Sequence, residues 1–372
     1  MSEGKVGLVV NPIAGMGGKV GLKGTDEPEI LEKARELGSE PVAPERAFKA
    51  LEKLKESSVE VEILTCSEEM GENEARKAGF DPKVVLEIDS GETTSEDTED
   101  AAKEFLEEGV DIILFAGGDG TARDVLRVVE GNIPILGIPT GVKMHSAVFA
   151  NTPEIAGRLV GRYLIGSLPL REAEVMDVDE EAFRQNRLDT DLKGFGRTPY
   201  DPRWVQSAKS PTVSSGSEES DQESIARWVV EHMEENRVYI LGPGTTTRSV
   251  PDELGFSEFT LLGVDLVKNG ELLAEDVTEN DILEKIEGGP STIIISPIGK
   301  QGFILGRGNQ QVSPEVVRRV GVENILILAT PNKLTETPML KIDTGDSDLD
   351  EEFRGYMRVI MGYGVERPVP VT

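Results

Sequence analysis

The chain has 372 residues, 38% of them hydrophobic, with 69 acidic against 39 basic side chains and a net charge of −30. That length fits two domains, or one large α/β domain with additions. The charge argues against a nucleic-acid-binding surface, which needs Lys and Arg to neutralise phosphate. The acid is spread along the whole chain, a composition that resembles adaptation to high salt in a halophilic source, where self-repulsion is screened. No run approaches the roughly 18 apolar residues that cross a bilayer. MSEGKVGLVV enters a strand-like run without a signal-peptide layout, so a cytoplasmic protein with no membrane partner is expected. Cys66, the single cysteine, excludes an intrachain disulfide and a Cys-rich metal site, and His145 and His232 are too few for a multi-histidine one.

Residues 6–10 read as a strand that runs into Asn11-Pro12-Ile13-Ala14-Gly15-Met16-Gly17-Gly18. Glycines let a backbone approach an anion closely, so Asn11, Gly15, Gly17 and Gly18 are phosphate-loop candidates, with a flexible connection as the alternative. A helix over 43–55 puts Ala47, Leu51 and Leu54 on one face; 59–64 alternates as a strand, 68–78 reads as a helix and 84–88 as a strand. Thr93-Thr94-Ser95 can cap a helix over 96–108.

Residues 112–116 are an apolar run that ends in Gly117-Gly118-Asp119-Gly120-Thr121, and a helical stripe of Val125, Leu126, Val128 and Val129 follows. That pattern is a buried strand, a glycine turn and a helix start. Helix starts carry unpaired N–H groups and partial positive charge, which suits phosphate. Asp119 puts a carboxylate where an anion would sit. It fits a turn that works on a metal–phosphate complex or takes a proton from an attacking hydroxyl; a tight corner capped by Asp119 is the other reading. Neither turn has the spacing of a P-loop or of the dinucleotide fingerprint, which counts against a Walker ATPase and a standard NAD dehydrogenase.

A strand over 133–138 ends in Pro139-Thr140-Gly141-Val142-Lys143-Met144-His145-Ser146. Thr140, Gly141, Lys143, His145 and Ser146 are ligand-contact candidates, with a hydrogen-bonded structural role open for His145. A helix carrying Ile155, Leu159 and Tyr163 closes the region. Alternating strands and helices predict an open, mostly parallel sheet, whose ligands bind beyond the carboxyl ends of the strands.

Past residue 170 the texture changes. Residues 174–178 alternate as a strand, 206–224 form a Ser/Glu-rich loop expected to be mobile, and 225–233 read as a helix. Strands follow at 238–241, 261–267, 292–296, 324–329 and 339–343. Residues 296–314 read as a glycine-rich ligand wall, with Pro297, Gly299, Gly302, Gly308 and Asn309 as candidates. Asp343-Thr344-Gly345-Asp346 is a tight acidic turn for which cation contact and a simple turn are both open. Residues 354–363 form a short helix or strand. The domain plan is an α/β domain over 1–170, a β-rich nucleotide- and substrate-binding domain over 171–340, and a segment 341–372 packing back on the first; a homo-oligomer is expected.

In this order, Asn11-Pro12-Ile13-Ala14-Gly15, the GGDGT turn at 117–121 and Ser296-Pro297-Ile298-Gly299 resemble the motifs of the NAD kinase superfamily, which also includes diacylglycerol and sphingosine kinases and, distantly, 6-phosphofructokinases. GVKMHSAVFA (141–150), GRGNQQVSP (306–314) and DTGD (343–346) are similar to its archaeal and bacterial branch of ATP/polyphosphate-dependent NAD kinases, and the resemblance spans nearly the whole chain. It implies an NAD kinase-like fold with an active site between an N-terminal α/β and a C-terminal β-rich domain. It implies phosphoryl transfer from ATP or polyphosphate to the 2′-hydroxyl of the adenosine ribose of NAD, giving NADP. Asp119 is then general base or orienter, Gly117, Gly118, Gly120 and Thr121 hold donor phosphates, and the 297–302 turn contacts nucleotide. Two departures bear on the acceptor. The usual Asn-Glu pair for the NAD ribose is not evident at 141–146, and the second loop reads Ser-Pro-Ile-Gly-Lys-Gln-Gly. Mg²⁺ carried with the donor, helped by Lys143, Lys300 or Arg307, would neutralise charge. The alternatives are a kinase for another hydroxyl acceptor, lipid or small metabolite, and a non-catalytic nucleotide sensor.

Overall fold

The strand-like segments read between residues 6 and 138 become the strands of one sheet, and the continuous apolar run at 112–116 is a fully buried interior strand, as expected where helices cover both faces. The structure is a computed structural model and describes residues 4–22, 28–57, 59–88, 93–141, 144–178, 190–201, 204–205, 216–256, 259–260 and 262–372. The chain divides into two compact units: Met1–Met16 with Gly24–Phe183 and Arg187–Lys209, and Gly17–Lys23 with Arg184–Asn186 and Ser210–Thr372.

In the first unit β1 (Gly4–Val10), β2 (Val61–Cys66), β3 (Lys83–Leu86), β4 (Ile112–Gly117) and β5 (Ile135–Pro139) pair in parallel in the order β3-β2-β1-β4-β5. The order reverses beside β1, whose neighbours are β2 and β4, and such a switch point leaves a crevice beyond the carboxyl ends. Register sets Val10 against Ala116 and Gly117 against Pro139, so the turns after β1, β4 and β5 leave the sheet side by side. The helices are α1 (Pro28–Glu36), α2 (Ala43–Lys55), α3 (Glu72–Lys77), α4 (Ser95–Glu108), α5 (Asp119–Val129) and α6 (Pro153–Leu164).

Alternation along the strands decides the packing. Val6, Leu8, Leu114 and Ile138 meet Ala47, Leu51 and Leu54 of α2 and Leu159 of α6. Val9, Ile113, Phe115 and Ile135 meet Phe105 of α4 and Val125 and Val129 of α5. α2 and α6 touch backbone to side because residue 157 is glycine: a Cβ there would lie 2.1 Å from the Ala50 carbonyl oxygen. The helix expected over 68–78 is interrupted. Gly71, at φ +136, separates a 3₁₀ turn (Glu68–Met70) from α3, and a Cβ there would strike Thr65 Oγ1 at 2.2 Å. A hairpin of β6 (Leu170–Val178) and β7 (Thr190–Pro199) also belongs to this unit, so the chain does not divide at residue 170.

The second unit is strand-rich. A sheet in the order β10-β9-β8-β11-β13-β15-β16 is built from β8 (Val238–Leu241), β9 (Asp265–Lys268), β10 (Glu271–Ala274), β11 (Ser291–Ile295), β13 (Ile325–Leu328), β15 (Gly355–Gly362) and β16 (Val365–Val371). β8, β11, β13 and β15 run parallel, and a small pair, β12 (Phe303–Leu305) with β14 (Lys341–Ile342), lies apart from it in sequence pairing. Helices α7 (Gly216–Glu231), α8 (Thr245–Glu253), α9 (Glu279–Lys285), α10 (Pro314–Val320), α11 (Pro331–Glu336) and α12 (Ser347–Glu352) complete it. Two expectations change. Residues 216–224 are the start of α7 and not loop, while 206–215 lie outside the described residues. Segment 341–372 belongs to the second unit, because β15 pairs with β13 through Ile327 and Val359 and β16 closes the edge.

Candidate active site

Three turns meet at the carboxyl end of the first sheet. Asn11 opens the turn after β1: its N–H donates to the Ala116 carbonyl at 2.9 Å, its Oδ1 accepts from Ile13 N at 3.2 Å, and its Nδ2 donates to Thr121 Oγ1 at 3.3 Å. Thr121 in turn folds over Gly117, where a Cβ would lie 2.3 Å from Thr121 Oγ1. Gly15, at φ +84, brings the first turn against the third: a Cβ there would lie 2.2 Å from the Thr140 carbonyl oxygen. Thr140 Oγ1 is buried here without a hydrogen-bond partner. Gly118 is the N-cap of α5, with no side chain capping the helix and open space where its Cβ would be. The first N–H groups of α5, including that of Gly120, are thus left for a ligand. Asn11, Gly15, Gly117, Gly118, Asp119, Gly120, Thr121, Thr140, Gly141, His145 and Ser146 all belong to this unit; Lys143 lies outside the described residues.

Asp119 starts α5 and is 6% exposed. Its Oδ2 accepts from His145 N at 2.7 Å, and its Oδ1 accepts from Ser146 N at 2.9 Å and Ser146 Oγ at 2.6 Å. Each carboxylate oxygen can accept two hydrogen bonds, so Oδ1 is filled and Oδ2 keeps one position. Burial pushes the acid up to about 6, against the three donors that hold it down, and the nearby Asp177 carboxylate adds to the rise. His145 and Ser146 act here through their backbone and, for Ser146, its hydroxyl. The hydroxyl also accepts the Met176 N–H at 3.0 Å and so ties β6 to the carboxylate.

One participant shows no sequence signal. Arg46 of α2 is buried, and its Nη1 donates to the Pro139 carbonyl at 2.9 Å, fixing the end of β5. In sequence it is one more charge in an amphipathic helix; only the fold turns it inward.

The remaining candidates fall in the second unit. Gly17 and Gly18 are grouped there, and a Cβ on Gly18 would collide with the Gln310 side chain at 1.9 Å. The 296–314 segment is a wall of tight turns: Gly302 (φ +78) packs on the Met339 carbonyl and Gly306 (φ +82) on that of Asp343. Gly299 and Gly308 also have positive φ, and Pro297 leads into the 3₁₀ turn Gly299–Gln301. Asn309 is buried and local: Nδ2 donates to the Ile304 carbonyl at 2.8 Å, and Oδ1 accepts from Gly306 N at 3.1 Å. Asp343 forms a buried pair with Arg307 at 2.9 Å. Asp346 caps α12 through Leu349 N at 3.0 Å and meets Arg318 at 2.7 Å, which holds its carboxyl down at about 2.

A second cluster lies at the ends of β8, β11 and β13. Lys333 of α11 is 6% exposed, and its Nζ donates to Ser296 Oγ at 2.9 Å and Thr246 Oγ1 at 3.2 Å. Thr330, the N-cap of α11, donates to buried Glu218 at 2.6 Å. Among the described residues no three His, Cys, Asp or Glu side chains gather to hold a metal, and no helix is long and apolar enough to cross a membrane.

Comparison with known proteins bears on the chemistry. No curated protein matches the chain. Among solved structures, a diacylglycerol kinase from Bacillus anthracis str. Sterne matches at 19% identity over 48% of this chain and 44% of its own, with a TM-score of 0.24. A UDP-N-acetylglucosamine 2-epimerase matches at 10% identity over 93% and 85%, also with a TM-score of 0.24. The chain thus spans less than half of the diacylglycerol kinase, and likeness this low carries no argument. The family models are decisive. The ATP-NAD kinase N-terminal domain matches residues 6–167, and the ATP-NAD kinase C-terminal domain matches residues 234–371. With both domains present in order over most of its length, the chain belongs to the ATP-NAD kinase family.

Proposed function

We propose that the protein is an NAD kinase that moves the terminal phosphoryl group of ATP or polyphosphate to the ribose 2′-hydroxyl of NAD, giving NADP. The observation that supports it is the Asp119 carboxylate. It is buried at the first turn of a helix, titrates at about 6, and keeps one acceptor position on Oδ2. A general base works best when its pKa lies near the working pH, and a single free acceptor position fixes where the incoming hydroxyl must point. The hydroxyl proton passes to Oδ2 as the oxygen attacks the phosphorus, and the bond to the leaving phosphate breaks in line. Gly117, Gly118, Gly120 and Thr121, at the uncapped start of α5, hold the donor phosphates through backbone N–H groups, and Asn11 orients Thr121. The substrate-binding role assigned by resemblance to Thr140, Gly141, His145 and Ser146, and to Pro297, Gly299, Gly302, Gly308, Asn309, Asp343 and Asp346, belongs to the same proposal.

Mg²⁺ enters in this reading as part of the donor substrate, chelated by its phosphates. The reading also places the protein in the cytoplasm, in an acidic, salt-adapted form. The test is a donor-by-acceptor screen, ATP and polyphosphate against NAD, NADH and diacylglycerol, in low and high salt. NADP formation that collapses in Asp119→Asn is expected. Transfer to diacylglycerol but not NAD would replace the acceptor, and normal turnover in Asp119→Asn would sink the mechanism.

A further inference from the structure

Strand β6 turns alternate residues toward α5. Ala173 and Val175 are buried in the core that Val125 and Val129 of α5 enter. The next residue of that row is 177, where the sequence has an aspartate. It lies just past an irregularity in the hairpin. Val175 pairs with Gly194 but Met176 pairs with Leu192, so Lys193 of β7 is an extra residue. Gly194 adopts φ +153 there, and an added Cβ would come within 3.2 Å of Leu126 Cδ2. Such a bulge bends the hairpin and re-aims its side chains. Past the end of α5 the hairpin is fastened by Arg197 of β7, which donates from Nε to the Gly131 carbonyl at 2.7 Å and from Nη2 to the Asn132 carbonyl at 2.6 Å.

Two contacts fasten it near the start of α5. Arg123, one turn beyond Asp119, donates from Nη1 to Asp177 Oδ2 at 2.8 Å and from Nε to Asp124 Oδ1 at 3.0 Å. The planar fork of a guanidinium fixes direction as well as charge. Beside it, the Met176 N–H donates to Ser146 Oγ at 3.0 Å. That hydroxyl has one proton and two acceptors in reach, Asp119 Oδ1 at 2.6 Å and the Met176 carbonyl at 3.2 Å. A bond to a carboxylate is the stronger of the two. The Met176 N–H holds the oxygen from its acceptor side, which leaves the proton directed at Asp119. The remaining charges nearby are turned on one another: Arg127 meets Glu99 of α4, and Lys193 meets Asp191 at 3.1 Å and reaches Asp177 only at 4.0 Å. Asp177 is therefore the charge that bears on Asp119, and it raises that acid less than the Ser146 hydroxyl lowers it.

We propose that Arg123 and Asp177 are positioning residues for Asp119: their ion pair holds the bulged end of β6 on α5, and β6 passes that hold to the carboxylate through the Met176 N–H and the Ser146 hydroxyl. The pair touches no reacting atom. It rests on the kinase reading in one respect, that Asp119 is the base whose direction matters.

The test follows Asp119 itself. Its carboxyl is titrated by ¹³C NMR in the full chain, identified as the signal missing from Asp119→Asn, and kcat and KM with ATP and NAD are measured in parallel. Arg123→Gln and Asp177→Ala break the pair from opposite sides. Lys103→Gln, a cation removed from the exposed face of α4, is the control, and each variant is verified as folded by circular dichroism. Both pair variants are expected to raise the Asp119 midpoint by about half a pH unit or more, because a donor to the carboxylate is lost. At pH 8, where the carboxylate is ionised throughout, kcat falls about tenfold with KM held. Lys103→Gln changes neither reading. Added to Ser146→Ala, Asp177→Ala raises the midpoint no further, since the route through the hydroxyl is already cut.

The sign in Asp177→Ala is decisive. Removing a neighbouring negative charge alone lowers the midpoint, so a lowered value makes Asp177 a charge and overturns the proposal. An unmoved midpoint in both pair variants overturns it too, as does a rise that persists in full in the Ser146→Ala background. An unmoved midpoint with Asp119→Asn dead removes the pair and leaves the kinase reading standing. A raised midpoint with normal turnover in Asp119→Asn leaves the hold on the carboxylate and removes its catalytic meaning.

Discussion

The turns at the ends of the two sheets bury opposite charges. Beyond β1, β4 and β5 the ion is Asp119, held by two backbone N–H groups and a hydroxyl. Beyond β8, β11 and β13 it is Lys333, held by Ser296 and Thr246. Removing either ion from water costs several kcal/mol unless its hydrogen bonds are made good. Asp119 sits in the first turn of α5, where the helix dipole favours an anion, and Lys333 falls in the last turn of the six-residue α11, where it favours a cation. Each buried ion is thus placed with its local field, and the difference lies in the groups around it: two main-chain amides on the acid, two side-chain hydroxyls on the ammonium.

The largest test of that contrast is Asp119→Asn, which keeps the shape and removes the base. It should lower kcat by about 10²–10⁴-fold while leaving nucleotide affinity near that of the original, by steady-state kinetics and calorimetry. A loss confined to stability would make Asp119 a latch for His145 and Ser146 alone. Next is Lys333→Met, which should cost roughly 2 kcal/mol of stability in a denaturant titration, since hydrogen bonds to a charged group are lost. If KM for the donor also rises, the lysine takes part in donor binding; if it holds, the ammonium is a peg between Ser296 and Thr246.

A smaller effect is the pH profile. With Asp119 raised to about 6, kcat/KM should fall about tenfold per unit as pH drops below that value and the carboxylate protonates. Stability moves the opposite way. The folded state holds this proton more tightly than the unfolded chain, so the contribution is full below about pH 4, the unfolded value, and is lost as pH rises through about 6. A chemical-denaturation series from pH 4 to 7 in wild type and Asp119→Asn reads it directly.

The contrast also tracks what the sequence could reveal. The 43–55 helix was legible because its apolar stripe runs three turns, and GGDGT was legible because a glycine run between an apolar strand and an apolar helix has few other uses. Helices α9 to α12 span only six or seven residues each, too short to show a stripe. Residues 216–224 read as loop because Gly216-Ser217-Glu218-Glu219-Ser220-Asp221 offers no apolar period, although Glu218 becomes buried against Thr330. Arg46 and Lys333 were invisible for a related reason: a buried cation in a helix spells the same letters as a solvated one, and only tertiary packing tells them apart. The hairpin of β6 and β7 joined the first unit through contacts made across the fold, by Arg197 and Ser146, which local texture does not encode.

Of the three donors that hold Asp119, two are main-chain amides, which only a proline would delete; the third is the Ser146 hydroxyl. The acidity of the carboxylate is therefore adjustable through one neighbouring side chain without touching the carboxylate itself. Ser146→Ala removes a donor that holds the acid down, so the acid limb of the activity profile should move to higher pH, and Ser146→Thr, which restores a hydroxyl, should move it back. Under the proposed chemistry, the working pH would then be a property that selection, or an engineer, can tune one hydroxyl away from the reaction.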